Sequence, residues 1–594
     1  MSAVELAPEQ IHAHAPVAQG VAGDAASPEA VRKLSHQLAS PKLNVKSQRK
    51  VLEKLKAALM AIRGGDFDLG GRRAIDALRI DETSGLAWHI LAICREKCGD
   101  FGQALQAYEA ALKLLPNETD VAHDLGRLAQ QLGYLDIAEK LLLKYLAVEP
   151  GHVEATNNLA CVQRDQKRYG DAVETLRALL GVEPESPVLW NTLGTVLSDQ
   201  GDMVTALTFF EEALRHDPGF AKARYNRANA RQPLGDALGA LEDLDAALPG
   251  AENPYERAMM NMARAMLLMT LGRIPEGFEA YEVRLDPQMP DAMRVAVEAP
   301  RWDPTTPLTG RRLLIVGEQG IADEMVFGST IGDAIEAVGP GGQVFVAVEP
   351  RLVGLFQRAF PTAIVGGHRA VKLEGRITRY VPFVEELTDK PDCWVPMASL
   401  LAVFRASVDT FPDRRGYLVA DPDKVAHWKA ELEKLGPGLK VGLHWKSLVL
   451  TGSRARYFSS FERWKPVLTT PGAVMVNLQC GDVADDLEAA EAAGVTIWTP
   501  PINLKDDLED VAALSVALDL VIGPGIAGTN LAATVGGTVW MITAPDDWHY
   551  LATDKYPFYP HLRFFRREAF DEWTNTIDRI RADLDAAVKA GNAA

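Results

Sequence analysis

The sequence predicts an α-helical solenoid followed by an α/β unit of two doubly wound lobes. Three observations predict it. An interval of 34 residues separates Pro116, Pro150, Pro184 and Pro218 within a stretch of helical apolar periodicity. Beyond Pro300, short apolar runs alternate with helical ones, as parallel strands joined by crossover helices require. That alternation restarts near residue 425, which splits the second half into two lobes. At 594 residues the chain has room for roughly three to four domain-sized units. Its 47% hydrophobic and 24% charged residues are ordinary for globular proteins and exclude wholesale disorder.

Residues 1–45, which include AHAPVAQGVAGDAASPEA, lack an apolar period and are expected to be a mobile tail. The array is expected over 46–290. Counting back from the prolines, Trp88, Leu91, Ala104, Tyr108, Ala111 and Pro116 align with Trp190, Leu193, Ala206, Phe210, Ala213 and Pro218. Leu125, Gly126, Gly133, Ala138 and Pro150 form a copy between them, and Leu159, Ala172 and Pro184 a looser one. Small residues let paired helices approach, large ones fill the gap, and proline ends the second helix. The pattern resembles the tetratricopeptide repeat (TPR) family, with about six to seven helix pairs stacked into a superhelix. Its concave face is expected to bind an extended peptide or protein; a passive scaffold or a dimerisation surface is the alternative.

The first lobe is expected over 300–424 and the second over 425–594. RRLLIV, QVFVAV and TAIVGG read as strands of the first, and KVGLHW, AVMVNLQ, VTIWTP, LDLVIG and TVWMIT as strands of the second. In doubly wound sheets ligands bind beyond the carboxyl ends of strands. Three loops there carry chemistry. GEQGIADEM places Glu318, Asp323 and Glu324 at a strand-to-helix junction, as a candidate general base or as ordinary helix-capping acids. The stretch Lys440 to Lys465 holds six cations against one acid, Glu462, with Lys446 and Ser447 at the strand's carboxyl end as a candidate anion site. Arg463 and Lys465 read as solvated surface charge. In GPGIAGTN, glycines and a helix start offer backbone N–H groups to a phosphate or carboxylate. GPGIAG also fits G-x-G-x-x-G with Asp546 about 20 residues on, but late in its lobe, which argues against a dinucleotide site.

Subtracting 80 acidic from 62 basic residues leaves −18, which disfavours general nucleic-acid binding. Five cysteines are too few for a disulfide framework and fit a reducing, cytoplasmic setting. Cys94 and Cys98 lie four apart and are expected to share a buried helix face rather than a metal, so no metal is assigned. Neither a secretory signal nor a membrane-spanning run is visible.

The order of motifs, GFEAYEVR, APRW, LLIVGEQGIADE, VGLHWKS, LDLVIGPGIAGTNLAATVG, VWMITAPDDWHYL and YPFYPHLRFFRR, resembles bacterial TPR glycosyltransferases. Their catalytic half is similar to the GT-B fold of two Rossmann-like lobes shared by heptosyltransferases and O-GlcNAc transferases. The nearest likeness is to the flagellin-modifying FlmG type. The resemblance implies an inverting protein O-glycosyltransferase that recognises flagellin through its repeats. It would transfer a nonulosonic acid such as pseudaminic acid from a CMP-linked donor to Ser or Thr hydroxyls, with no cofactor besides that nucleotide sugar.

Carried onto this chain, Glu318, Gln319 and Gly320 form the acceptor loop, Ala322 replaces the usual glycine, and Asp323 takes the position of the base. Trp445, Lys446 and Ser447 match the donor-phosphate segment, with Gly523, Pro524, Gly525, Thr529 and Asn530 completing the donor site. Arg454 or Arg456 would pair with a second anion of the donor. The Val-Asp-Thr and His of heptosyltransferase-like relatives are replaced by Gly523-Pro524-Gly525 and Asn530, which weighs against an ADP-heptose donor. A non-catalytic TPR adaptor or chaperone with a degenerate lobe, and a transferase using UDP-GlcNAc or ADP-heptose, are the alternatives.

Overall fold

The computed structural model describes residues 44–289, 292–373, 376–448, 457–568 and 573–591. The expected tail, apart from its last two residues, and Arg454 and Arg456 lie outside them. The chain divides into two compact units, Met1–Asp202 and Met203–Ala594.

The first unit is a solenoid of nine helices among the described residues, from Val45–Arg63 to Pro187–Gln200. Alanines at the repeat positions are fully buried, including Ala74, Ala104, Ala111 and Ala138, so the helices close around larger neighbours such as Leu55 and Tyr108. Three helices meet at Glu96: Tyr108 donates to its Oε2 at 2.8 Å, and Arg127 reaches its Oε1 at 2.6 Å. Burial pushes the Tyr108 hydroxyl well above its ordinary pKa. Trp88 donates its indole N–H to the Glu82 carbonyl, and Trp190 repeats the bond to Pro184, each six residues back. Cys94 is buried, as its helix face requires, but Cys98 is the helix C-cap and is exposed, so the two share no buried face.

The 34-residue period also appears in the backbone. Gly65, Gly99, Gly133, Gly201 and Gly235 adopt φ of 78°, 80°, 82°, 103° and 86°, and at the missing step stands Lys167 with φ 62°. A side chain there is strained by roughly 1–2 kcal/mol.

The second unit opens with five helices, Met203–His216 to Ile274–Ala280, and a 3₁₀ turn, Tyr281–Leu285. Thirteen strands follow among the described residues. They are β1 (Arg294–Ala296), β2 (Arg312–Val316), β3 (Gln343–Val348), β4 (Ile364–Gly367), β5 (Arg369–Leu373), β6 (Arg376–Tyr380) and β7 (Cys393–Pro396). The later ones are β8 (Leu439–Leu443), β9 (Ala473–Asn477), β10 (Ile497–Trp498), β11 (Leu520–Pro524), β12 (Val539–Thr543) and β13 (Arg563–Arg566). One parallel sheet has the order β4-β3-β2-β7 and the other β10-β9-β8-β11-β12-β13. Both faces of the first are buried: Leu313, Ile315 and Val346 pack to one side, Leu314, Val316 and Phe345 to the other. This is why its strands read as continuous apolar runs.

The structure adds a small sheet, β1-β6-β5, whose β5 and β6 form an antiparallel pair. The sequence pattern missed it because β5 is exposed along its whole length and carries no apolar run. It missed β7 and β13 for a related reason: CWVP and RFFR are four-residue edge segments. β8 stops at Leu443, short of the expected KVGLHW, while β11 extends through Pro524, so Gly523 and Pro524 belong to the strand. No helix among the described residues is long and apolar enough to cross a membrane.

Lys167→Gly is expected to raise the unfolding free energy by about 1 kcal/mol, since glycine takes the left-handed conformation without the Cβ clash. Urea denaturation of the full chain, read as a midpoint shift at constant slope, checks it.

Candidate functional site

The carboxyl ends of β2 and β11 lead into two helices that pack together, Ile321–Phe327 and Ala527–Thr534. Thr534 Oγ1 touches Met325 Sδ at 3.8 Å across that contact. The loops entering these helices are the acceptor loop and the GPGIAGTN loop, which the fold therefore brings side by side.

The three acids of the acceptor loop are sorted by burial and partners. Glu318 is 1% exposed and takes a two-pronged bond from Arg284, at 2.7 and 3.0 Å, and a third from the Ala398 N–H at 2.7 Å. Arg284 belongs to GFEAYEVR and is itself 5% exposed. Its neighbour Glu282 bonds Ser399 and Arg301 of APRW, so these two sequence landmarks form one polar network behind the loop. Glu324 is equally enclosed, with Arg379 at 2.7 Å and His368 at 2.8 Å on Oε1 and the Glu349 N–H at 2.7 Å on Oε2. A Cβ at Gly317 would lie 2.5 Å from the Glu324 carboxyl carbon, so only glycine fits there.

Asp323 differs. It is partly exposed, and its bond in the structure is the Gly320 N–H at 2.9 Å. Burial pushes its carboxyl above the ordinary Asp pKa, Glu318 and Glu324 add to that, and His549 opposes it. Gln319, next in the loop, sits at φ 57°, a strained conformation for a non-glycine residue. Arg379 holds it there by bonding the Gly317 and Gln319 carbonyls at 2.6 and 2.7 Å, and the Gln319 amide reaches Tyr281 Oη at 2.6 Å.

In the second lobe, the helix Ala527–Thr534 starts at Ile526 with no side-chain cap. Thr529 of its first turn is fully buried, and the N–H of the preceding Gly525 bonds the Ile542 carbonyl. Thr529 Oγ1 and His444 Nε2 are buried without hydrogen-bond partners at this spot. Burial drives the His444 pKa down to about 3, so its ring is neutral. That ring packs against Gly528, where a Cβ would come within 2.2 Å of Cε1. Asn530 is engaged, accepting from Tyr559 Oη at 3.0 Å and donating to the Ile526 carbonyl at 2.9 Å.

The Trp445-Lys446-Ser447 segment follows the carboxyl end of β8. Trp445 is buried in the core with Leu443, as alternation requires, but β8 has ended and Lys446 turns to the same partner as Trp445. Lys446 Nζ lies 2.7 Å and Trp445 Nε1 2.9 Å from Asp486 Oδ2. Gln479 Oε1 pins both backbone N–H groups, at 2.9 and 3.0 Å. Lys440 stands at the opposite, amino end of β8, bonded to the Gly436 and Gly438 carbonyls, so it leaves the cationic cluster. Arg463 and Lys465 are exposed.

Sequence reasoning singled out the VWMITAPDDWHYL stretch but assigned no residue in the loop after β12. Asp547 accepts from His549 Nδ1 at 2.6 Å, from the His549 N–H at 3.1 Å and from Tyr556 Oη at 3.3 Å. The Asp-x-His spacing beyond a recognised strand was a legible signal. Arg284 and Arg379 left none, because their partners lie far away in the chain.

Residues 85–118 and 123–188 match models of the tetratricopeptide repeat. Over 573 residues the chain is 46% identical to Protein FlbA of Caulobacter vibrioides, covering 96% of this chain and 95% of that protein. The chain belongs to the FlbA family. Shorter likenesses are to Tetratricopeptide repeat protein 7B of Homo sapiens, 31% identical over 20% of this chain and 14% of that protein. Protein O-mannosyl-transferase TMTC1 of Homo sapiens is 25% identical over 29% of this chain and 18% of its own length. The solved structure of PilW, a type IV pilus biogenesis factor, aligns with 36% of this chain and 99% of its own, at 21% identity and a TM-score of 0.32.

In this FlbA-family chain, Arg284→Ala strips Glu318 of its counter-charge in a site closed to water. The expected cost is about 3–5 kcal/mol, measured by urea denaturation, whereas Arg301→Ala, on the exposed rim of the same network, costs under about 1 kcal/mol.

Proposed function

We propose that this protein is an inverting protein O-glycosyltransferase with a GT-B catalytic half, acting in the cytoplasm. Its tetratricopeptide repeats bind a protein acceptor, flagellin in the flagellin-modifying type it resembles. The sugar is a nonulosonic acid such as pseudaminic acid, carried on a CMP-linked donor. The observation that carries the reading is the pairing of Asp323, the one loop acid not enclosed by cations, with the uncapped helix start at Ala527.

The chemistry follows from those two groups. A Ser or Thr hydroxyl beside Asp323 passes its proton to the carboxylate as its oxygen bonds the anomeric carbon. The bond from that carbon to the donor phosphate oxygen breaks, and its electron pair leaves with the phosphate. First-turn N–H groups and the Thr529 hydroxyl meet the charge growing on the leaving group. Lys446 and Ser447 supply the remaining contacts, with Lys446 shifting from Asp486 to the phosphate. Arg454 or Arg456 pairs with the sugar's carboxylate.

A second reading, a non-catalytic adaptor, draws on one observation: Lys446 is already paired with Asp486 and Asn530 with Tyr559. Intact-mass analysis of flagellin co-expressed with each variant separates the two. Asp323→Asn is expected to cut transfer at least ~100-fold, and Lys446→Ala to weaken it less; sugar transfer undiminished in Asp323→Asn would remove it as the base. Of CMP, UDP and ADP, only CMP is expected to raise the melting temperature of the full chain.

A further inference from the structure

Where the chain passes from the first lobe to the second, two arginines share one acid. Arg405, which follows the helix Ser399–Phe404 and is 1% exposed, takes both oxygens of Asp333, at 3.2 and 2.7 Å. Its Nη2 also donates to the Ser329 carbonyl at 3.1 Å, and Arg414 Nη2 donates to that same oxygen at 2.9 Å. Two guanidinium groups therefore converge on one carbonyl, and the single carboxylate beside them is held by Arg405. Asp413, next to Arg414 in the chain, lies 2.9 Å from His561 instead, and no carboxylate pairs with Arg414 among the described residues. Burial pushes the Arg414 pKa below its ordinary value and Arg405 adds to that, against Tyr417 and Asp333. An arginine nonetheless keeps its charge, so half-buried Arg414 is a cation without a counter-ion.

The space beside it suits a small guest. Ser329, Arg414, Phe411, Tyr417, Phe558 and Tyr559 line a recess with about 10 Å³ of free space, room for one small ion or water. Its walls are aromatic: Phe411 and Phe558 meet at 4.9 Å and 77°, Arg414 lies over the Tyr417 ring at 5.1 Å, and Arg405 over Phe411 at 5.5 Å. The Ser329 hydroxyl is buried with no hydrogen-bond partner among the described residues. A water would answer that hydroxyl and leave the charge of Arg414 unmet, and an uncompensated cation shielded from solvent is costly. We propose that the recess is a binding site for one monatomic anion such as chloride, held by the Arg414 guanidinium and the Ser329 hydroxyl. Its walls are tied to both helices that carry the site loops, since Tyr417 Oη donates to the Met325 carbonyl at 2.5 Å and Tyr559 Oη to Asn530 Oδ1 at 3.0 Å. A bound anion therefore stabilises the junction of those helices, whatever reaction the site performs.

The test uses the full-length protein and sodium bromide, whose anion scatters anomalously. A crystal of wild type soaked in sodium bromide is expected to show an anomalous peak in the recess beside Arg414 and Ser329. In solution, bromide or chloride is expected to raise the melting temperature above that in sodium gluconate of equal ionic strength, by roughly 1–2 °C for each tenfold rise in concentration once the site is filling. Arg414→Gln abolishes both the peak and the halide-specific rise, and Ser329→Ala weakens them. Arg415→Gln, which removes a neighbouring exposed charge bonded to Thr538, keeps both. Absence of the peak in wild type overturns the proposal, and that crystal decides alone should Arg414→Gln not fold. A peak with no halide-specific rise marks an adventitious ion only, and a rise undiminished in Arg414→Gln marks a general salt effect; either result overturns it too.

Discussion

The buried ion pair between Arg284 and Glu318 is the contact on which the rest of the site depends. It joins the turn that ends the helical array to the loop that leaves β2, with neither partner open to water. Two charges in such a place are stable only when every lone pair and N–H is met. The surrounding atoms comply: Glu282, Ser399 and the Tyr281 carbonyl accept the remaining guanidinium hydrogens, and the Ala398 N–H donates to Glu318 Oε1. The geometry of the loop is thereby fixed by a group outside its own lobe, so a change in the last helical turn is felt in the loop after β2.

The same logic sorts three neighbouring carboxylates into different tasks. Glu318 and Glu324 are paired with cations, while Asp323 is partly exposed and accepts from the Gly320 N–H. Arg379 completes the arrangement by gripping two loop carbonyls, which maintains the strained Gln319. On the facing lobe, neutral His444 packs on Gly528 and leaves Thr529 with an unanswered hydroxyl at an uncapped helix start.

Much of the fold was legible because it is periodic. The 34-residue repeat determined the helices, and the left-handed turns recur at the same interval, with Lys167 the exception. Buried parallel strands such as β2, β3 and β12 were readable as apolar runs. β5 was not, because it carries no apolar run, and β7 and β13 were too short to stand out at four residues each. At the site, Asp323 and Thr529 were identified from their place beyond strands. Lys446 was placed at the right end of its strand, but its pairing with Asp486 depends on a helix 40 residues away.

The sequence by itself determined the tetratricopeptide array and the parallel-strand half, since these follow from local spacing and residue type. Only the tertiary structure decided which acids are neutralised, that Lys440 leaves the cationic cluster, and that Asp547 holds the His549 ring. Ion pairing and desolvation depend on distances through space, and residues far apart in sequence, such as Arg284 and Glu318, set them.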